Sequence, residues 1–430
     1  MKLAILSDFH FGYAYNSELE NDSFENAREA MEKALDCDLI LIAGDIFDSR
    51  VPKTSVWARA IKVLVKPLLQ ANKGVKLISC TKELKKISSR TLEHLPVIAI
   101  HGTHERSGRD IINPVQALEN AGILIHLHCD TIVFEKNGVK VAIHGMSGVP
   151  ERYAKDILAR WNPKPIENCF NILLLHQSIE PYVYSPLEPP SLSVSNLPKG
   201  FDLIVDGHIH SANQEKIGNT TLLFPGSTIV TQLEASEALA DKGFYKVEID
   251  GEKKLKVEFV KLEKIRKFFY EEIRLSDEIS TREQIERSLQ RILREAFEKK
   301  PLVKVKLTGK EIQVSDRELR EIEKKYAQKL ILTFSKELES EEIARKIELL
   351  RNLREQKLSI EEIGVNILRK NLEELGFASS FDADKIFKLL SEGEIERASN
   401  ILLGEQLTLE KILKKSLSER QTGLEKWVSK

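Results

Sequence analysis

Five times within the first 210 residues an apolar run stops at an aspartate or a histidine, and no other feature constrains the fold as tightly. The clearest run is Leu39 to Ala43, short, continuous and built of β-branched or small residues. That is the pattern of a strand buried on both faces. Gly44 breaks it, and Asp45 and Asp48 follow. Lys2 to Leu6 end in Ser7-Asp8-Phe9-His10, and Val97 to Ile100 end in His101-Gly102-Thr103-His104-Glu105. Ile172 to Leu175 run into His176, and Leu203 to Val205 into Asp206-Gly207-His208-Ile209-His210. One such aspartate alone would read as a helix N-cap. Recurrence changes the reading, because in open α/β sheets ligands bind beyond the carboxyl ends of the strands. A doubly wound sheet would bring all five ends to one edge. Imidazole nitrogens and carboxylate oxygens without thiolates suit manganese, iron or zinc. A shared aspartate would hold two such ions about 3.5–4 Å apart, the spacing that clamps a phosphoryl group. The expectation is a binuclear phosphoesterase.

At 430 residues the chain exceeds one ordinary core and should divide into two or three domains. Its 42% hydrophobic residues exclude global disorder. Net charge is −1, from 65 basic and 66 acidic side chains, so nucleic-acid binding would rest on a local patch. Cys37, Cys80, Cys129 and Cys169 are widely spaced, with no CxxC pair, and read as thiols in a reducing compartment. No charged-then-apolar leader and no run of about 18 apolar residues occurs, from which a soluble, cytoplasmic protein is expected.

Along the chain, helices are expected from Ser23 to Leu35 and over Val51 to Asn72, where Trp57, Ile61, Leu64 and Leu68 recur at spacings of three and four. Residues 74–95 are a Lys- and Ser-rich excursion, either an extra helix or a surface insertion. A helix from Asp110 to Ala121 follows, then a hairpin over Thr131 to His144 turning at Asn137-Gly138. Pro181 to Pro198 should form a long exposed loop, and Pro225-Gly226-Ser227 a turn near the metal edge. Strands over Phe244 to Ile249 and Leu255 to Val260 finish the sheet, and Ile265 to Ser335 read as β-α-β-α-β. There the helix Thr281 to Lys299 carries Arg282, Arg287, Arg291, Arg294 and Lys299, followed by Lys300. It is either a solvated, salt-bridged face or a phosphate-backbone contact. Beyond Glu337 the chain reads as short amphipathic helices with too little apolar surface for a core, suited to docking on a partner.

Asp8-x-His10, Gly44-Asp45-x-x-Asp48, Gly102-x-His104-Glu105, His176 and Gly207-His208-x-His210 occur in one order over about 200 residues. This resembles the calcineurin-like metallophosphoesterases. Asp8-Phe9-His10-Phe11-Gly12-Tyr13, Gly44-Asp45-Ile46-Phe47-Asp48, Gly207-His208-Ile209-His210 and Pro225-Gly226-Ser227 further resemble the double-strand-break repair nucleases of the meiotic recombination eleven family, cousins of the bacterial SbcD exonuclease subunit. The resemblance covers the first half by motif and the rest by layout. It implies an α/β fold, a metallophosphoesterase β-sandwich flanked by helices, with a smaller α/β capping domain and a helical C-terminal tail. The corresponding spans are 1–262 for the nuclease domain, 263–336 for a DNA-binding cap and 337–430 for a partner-binding tail.

It further implies a manganese-dependent DNA nuclease, exonuclease and endonuclease, acting on double-strand breaks with two manganese ions per chain. Asp8, His10 and His210 would hold one ion, His176 and His208 the other, with Asp45 between them. His104 would be the general acid or the group that steadies the scissile phosphate, with Glu105 as its orienting partner. Arg50, Arg106 and Arg109 stand beside the motifs as phosphate contacts. Implied partners are DNA, a Rad-fifty-type ABC ATPase received by the tail helices, and a second copy of the chain joined near Val56 to Leu69 and Asp110 to Ala121, with no membrane. Two positions depart from the family. Thr103 stands where it has a metal-binding Asn, and Asp48 where many repair nucleases carry His. Alternatives are a small-molecule phosphodiesterase on the same site or, if Thr103 weakens it, a DNA-tethering scaffold.

Overall fold

The computed structural model describes residues 1–108, 111–183, 191–275, 279–309, 314–338, 365, 368–369, 382–391 and 395–402. The strands are β1 (Lys2–Leu6), β2 (Leu39–Ala43), β3 (Lys76–Cys80), β4 (Val97–Ile100), β5 (Ile125–His126) and β6 (Asp130–Lys136). Then come β7 (Val139–Gly145), β8 (Phe170–Leu175), β9 (Ile179–Glu180), β10 (Leu192–Ser193), β11 (Leu203–Asp206) and β12 (Asn213–Ile217). The last are β13 (Thr220–Phe224), β14 (Gly243–Ile249), β15 (Leu255–Lys261), β16 (Phe268–Arg274), β17 (Leu302–Gly309) and β18 (Ile331–Leu338).

Two sheets carry the fold. One runs β15-β14-β1-β2-β4-β5 and the other β12-β13-β11-β8-β7-β6-β3. Within the first, β1, β2, β4 and β5 are parallel; within the second, β7, β8, β11 and β13 are. Their inner faces share one core, in which Leu3, Leu39 and Ile98 meet Ile143, Ile172 and Leu203. Helices cover the outer faces: Phe24, Met31, Val63 and Leu118 pack on Leu6, Ile40 and Ala99, while Ala154 and Leu158 pack on Leu173 and Ile204. Every residue of Leu39–Ala43 is buried because each side of the strand meets a hydrophobic layer.

The two facing sheets are the helix-flanked β-sandwich that the resemblance implies; what they correct is the one doubly wound sheet suggested by the run pattern alone. Three of the five strand ends lie in one sheet (β1, β2, β4) and two in the other (β8, β11). The β6–β7 hairpin, with Asn137 and Gly138 at positive φ, lies in the second sheet, and β7 starts its parallel run. The two parallel runs present their carboxyl ends to a common rim.

Helix boundaries also shift for local reasons. The first helix begins at Glu20, not Ser23, with Glu20 and Asp22 in its first turn. The second spans Thr54–Leu64 and gives way to a 3-10 turn over Lys66–Leu69, since Pro67 has no N–H to extend the ladder. Its buried face is Val56, Ala60, Val63 and Leu64, leaving Ile61 of the expected stripe exposed. The third expected helix is Pro114–Asn120, set by Pro114 in its first turn and a capping box in which Asn113 accepts from Gln116 N. The 74–95 excursion adds β3 as an edge strand antiparallel to β6, a 3-10 turn and the short helix Ser89–Glu93. Of the expected loop after Pro181, residues 184–190 lie outside the described residues.

A third sheet, β16-β17-β18, with helices Thr281–Ile292 and Asp316–Tyr326, gives the expected β-α-β-α-β order and its own core around Ile285, Leu289, Val305 and Ile322. It falls in one compact unit with the two large sheets (1–308 and 312–337); a second unit takes in 338–430. The basic helix ends at Ile292, short of Lys299. Arg282 and Arg287 pair with Glu286 and Glu283, and Arg291 with Glu271. In the second unit helices Ala383–Ser391 and Ile395–Leu402 pack together, and Arg369 pairs with Asp384 at 3.0 Å. Most of the helical span expected from Glu337 to Leu375 lies outside the described residues. Among the described residues no helix is long and apolar enough to cross a membrane.

Candidate metal centre

The rim is assembled from backbone that only some residues tolerate. Asp8, His10, Asp45 and His208 all have positive φ, at 53°, 48°, 47° and 72°. Side chains other than glycine adopt this region at a cost of about 1–3 kcal/mol each, least for Asp, Asn and His. Asp8 N–H donates to Gly44 O and His10 N–H to Asp45 O, both at 3.0 Å, which ties the β1 loop to the β2 loop. Gly44, at φ 96°, has no room for a side chain: a Cβ there would lie 2.4 Å from His176 Nδ1. Gly102 is equally constrained, since its Cβ would meet Asp45 Oδ1 at 2.1 Å.

Three clusters, each with donor atoms within 4.8 Å of one another, occur among the described residues: Asp8/His10/His210, His10/Asp45/His104 and Asp8/Asp45/His176. Asp8 is fully buried and neither carboxylate oxygen has a hydrogen-bond partner. Its Oδ1 faces His10 Nε2 at 3.8 Å and His210 Nε2 at 3.6 Å, and those nitrogens stand 3.2 Å apart. The outer nitrogen of each ring is occupied. His10 Nδ1 lies 3.0 Å from Asp48 Oδ1, and His210 Nδ1 lies 2.8 Å from Thr231 Oγ1. Two imidazole nitrogens and an unpartnered carboxylate aimed at one point are a donor set that a divalent cation satisfies. The residues therefore fit a metal.

Asp45 stands at the middle. Its Oδ1 accepts from His104 N at 2.9 Å, and its Oδ2 accepts from Thr103 Oγ1 at 3.2 Å and faces His176 Nε2 at 3.1 Å. His176 spans the two sheets, donating from Nδ1 to Ala43 O at 2.6 Å. Burial opposes charge on that ring, but Asp45 overrides it and raises the imidazole to about 10. Burial likewise works against Asp45 as a carboxylate, yet His176 holds it well below the usual range. Asp8 is raised, chiefly by burial. His210 is pushed well below its ordinary value by burial and by His10, and stays neutral.

Of the other expected residues, His208 stacks edge-on to His176 with ring centroids 5.4 Å apart but belongs to none of the three clusters. His104 is 44% exposed at the mouth of the site. Glu105 does not orient it, which corrects that expectation: its buried carboxylate accepts from Phe47 N at 2.8 Å and Gly102 N at 2.9 Å, bracing one rim loop against another. Burial and the nearby Asp45 push Glu105 up to about 8. The group facing His104 Nδ1 is Asp48, through its carbonyl at 3.3 Å and Oδ1 at 3.5 Å, so Asp48 links His10 to His104. Arg50 and Arg106 line a cleft of about 850 Å³ that His101 also lines. Arg106 lies 3.5 Å from Glu151. Arg109 lies outside the described residues. His144 sits away from the rim, against Thr131 and Asn171.

Sequence reasoning missed the partners with which His101 supports the rim from behind. His101 Nδ1 lies 3.0 Å from His126 Nε2 and 3.3 Å from Asn113 Nδ2, and His126 Nε2 lies 3.2 Å from Ser147 Oγ. Asp206 accepts from Gln177 N at 3.0 Å. Only Asp206 carried a signal, as the residue before Gly207.

The profile of the calcineurin-like phosphoesterases matches residues 1–212. Among curated proteins the chain is 29% identical over 286 residues to "DNA double-strand break repair protein Mre11" of Methanopyrus kandleri, covering 61% of this chain and 57% of that one. It is 27% identical over 271 residues to the protein of that name in Methanococcus maripaludis (59% and 64%). To "Double-strand break repair protein MRE11" of Gallus gallus it is 26% identical over 313 residues (64% and 43%). The chain thus spans roughly half the length of these relatives.

Proposed function

Because residues 1–212 belong to the calcineurin-like phosphoesterase family, we propose that this chain is a manganese-dependent nuclease that processes DNA ends in double-strand-break repair, with double-strand exonuclease and single-strand endonuclease activity. The observation that carries the reading is the buried Asp8 carboxylate, unpartnered and facing two converging imidazole nitrogens beside Asp45. Two ions are proposed, one at Asp8, His10 and His210 and the other at His176 and His208, with Asp45 serving both. Bound there, divalent cations supply Lewis acidity that neutralises charge on a phosphodiester and acidifies an attacking water.

The remaining work falls to the chain's own groups. Asp48 fixes the His10 ring through Nδ1 and holds the exposed His104 at the mouth, where its imidazole would protonate the departing oxygen. Glu105 holds the Asp45 and Thr103 loops at constant separation. Arg50 and Arg106 on the adjoining cleft, with Arg109 nearby in sequence, are proposed as phosphate contacts. The substrate proposed is a polymer, whose phosphates beyond the scissile one those arginines would contact. The relatives' names as repair proteins favour DNA as that polymer.

Residues 263–336 are proposed as a capping domain and 337–430 as the helical segment that receives a Rad-fifty-type ATPase. A homodimer is proposed through the exposed apolar residues around the second and third helices, Val51, Ile61, Leu69, Ile111 and Ile112. The setting proposed is cytoplasmic. Plasmid nicking and end resection with manganese test the function. The expected result is cleavage that Asp8→Ala and His104→Ala abolish. Turnover of bis-p-nitrophenyl phosphate with no DNA cleavage or binding at low salt would overturn it in favour of a small-molecule phosphodiesterase.

A further inference from the structure

Behind the metal rim lies a buried ion pair that the proposed chemistry does not use. Lys242 and Glu237 are 1% and 2% exposed at their side chains, with Nζ 2.7 Å from Oε1. The ammonium has three protons and three acceptors: Glu237 Oε1, Ser227 Oγ at 2.7 Å and His210 O at 3.1 Å. The Glu237 carboxylate in turn accepts from the backbone of three consecutive residues. Thr231 N lies 3.2 Å from both oxygens, with Gln232 N at 2.8 Å and Leu233 N at 3.0 Å from Oε2. This pins a turn whose Leu233 has positive φ, at 53°. Thr231 Oγ1, on that turn, lies 2.8 Å from His210 Nδ1, and Glu237 Oε1 lies 4.0 Å from the same nitrogen. Tyr13 OH donates to Thr231 O at 3.1 Å and fixes the turn from its other side.

We propose that Glu237, Lys242 and Thr231 are a positioning unit that sets the tautomer and angle of His210. For His210 Nε2 to present a lone pair toward Asp8 and His10, its proton must reside on Nδ1, and Thr231 Oγ1 is the acceptor placed to hold it there. A hydroxyl on a free loop would not define the ring. Glu237 fixes the peptide that carries it, and Lys242 ties that carboxylate to the backbone of His210 itself. Both ends of the hydrogen bond are thus referred to one buried ion pair, and the anionic Glu237 favours the proton on the near nitrogen. The unit rests on the metal-site reading only for its purpose; the tautomer is a property of the protein alone.

Two measurements test it. One is the ¹⁵N shifts of the His210 ring in selectively labelled, metal-free protein. The other is manganese titration by calorimetry. Thr231→Val is expected to lose the Nδ1–H signature and to bind manganese about 10–100-fold more weakly. Its melting temperature without metal should stay that of the wild type, and Thr231→Ser should restore both readouts. Lys242→Met strands a buried carboxylate and could unfold the chain, so the paired variant Glu237→Gln/Lys242→Met is compared with it. That pair is expected to fold and to show a mixed His210 tautomer. A His210 signature unchanged in Thr231→Val and in the pair would overturn the proposal, as would manganese binding that falls only in step with melting temperature. A wild type that takes up no manganese yet shows the tautomer shift would overturn the metal site and leave the positioning role standing.

Discussion

At the scale of single residues, Asp45 and His176 decide how the site meets its ions. The imidazole raised to about 10 carries a proton at neutral pH on the side facing Asp45, and a cation must displace it. Metal binding should therefore release protons, and its apparent affinity should climb with pH by about tenfold per unit for each proton displaced. Manganese titrations from pH 6 to 8 in buffers of different ionisation enthalpy measure that release; pH-independent binding would refute it. Thr103 poses a second residue-scale question. Its hydroxyl reaches Asp45 Oδ2 at 3.2 Å, and its side chain is shorter than the amide the family places there. Thr103→Asn, which offers a longer-reaching amide oxygen, is expected to tighten the weaker of the two proposed manganese sites by about tenfold. The calorimetric isotherm would show it as a sharper second step. The residues that converge on the rim were legible in the chain because each lies at or just past the end of an apolar run. Asp48 and Glu105 were legible as residues but not as contacts, since which carboxylate turns inward depends on loops at positive φ.

Among the elements, β4, β5 and the third helix are joined by the neutral His101–His126 pair with Asn113 and Ser147. Burial, together with His128, pushes His101 down to about 3, and burial with His101 pushes His126 well below its ordinary value. In the unfolded chain both titrate near 6.5. Below that pH the unfolded state binds protons that the folded state refuses, so stability falls as pH falls from about 6.5 toward 3. Each ring contributes about 1.4 kcal/mol per pH unit across that window. Urea denaturation between pH 7 and pH 5 should show this slope, and His126→Gln should make it shallower by about one proton. An identical slope in that variant would exclude the pair as its source. No spacing recommended His126, because the pairing depends on β4 and β5 lying side by side, which pattern alone does not reveal. The strands were readable because period and burial are local properties. Their division between two sheets came from the family resemblance and not from the pattern, because it is fixed by where a hairpin redirects the chain.

For the molecule as a whole, the seam between the two-sheet body and the third sheet is ionic. One face of the first helix presents Asp22, Glu25 and Glu29. Arg266 grips Asp22 through Nε at 2.5 Å and Nη2 at 3.0 Å. Lys299 reaches Glu25 at 2.6 Å, Lys300 reaches Glu18 at 2.8 Å, and Glu29 accepts from Glu263 N and Lys264 N. Lys299 and Lys300, which the sequence offers either as a salt-bridged face or as phosphate contacts, are thus engaged in holding the third sheet to the first helix; a row of basic residues does not say whether its partner is a phosphate or an acidic helix. Arg266 and Asp22 are nearly buried, at 11% and 6% exposure. Removing one member of such a pair leaves an uncompensated charge and costs about 3–5 kcal/mol. Arg266→Met should fall at the low end of that range, because Lys299 Nζ remains 3.7 Å from Asp22. Asp22→Asn/Arg266→Met, which strands no charge, should recover most of the loss. Urea denaturation of the two variants makes the comparison, and limited proteolysis across 262–268 should follow the same order. If the double variant is as unstable as the single one, the seam holds through packing rather than through its charges.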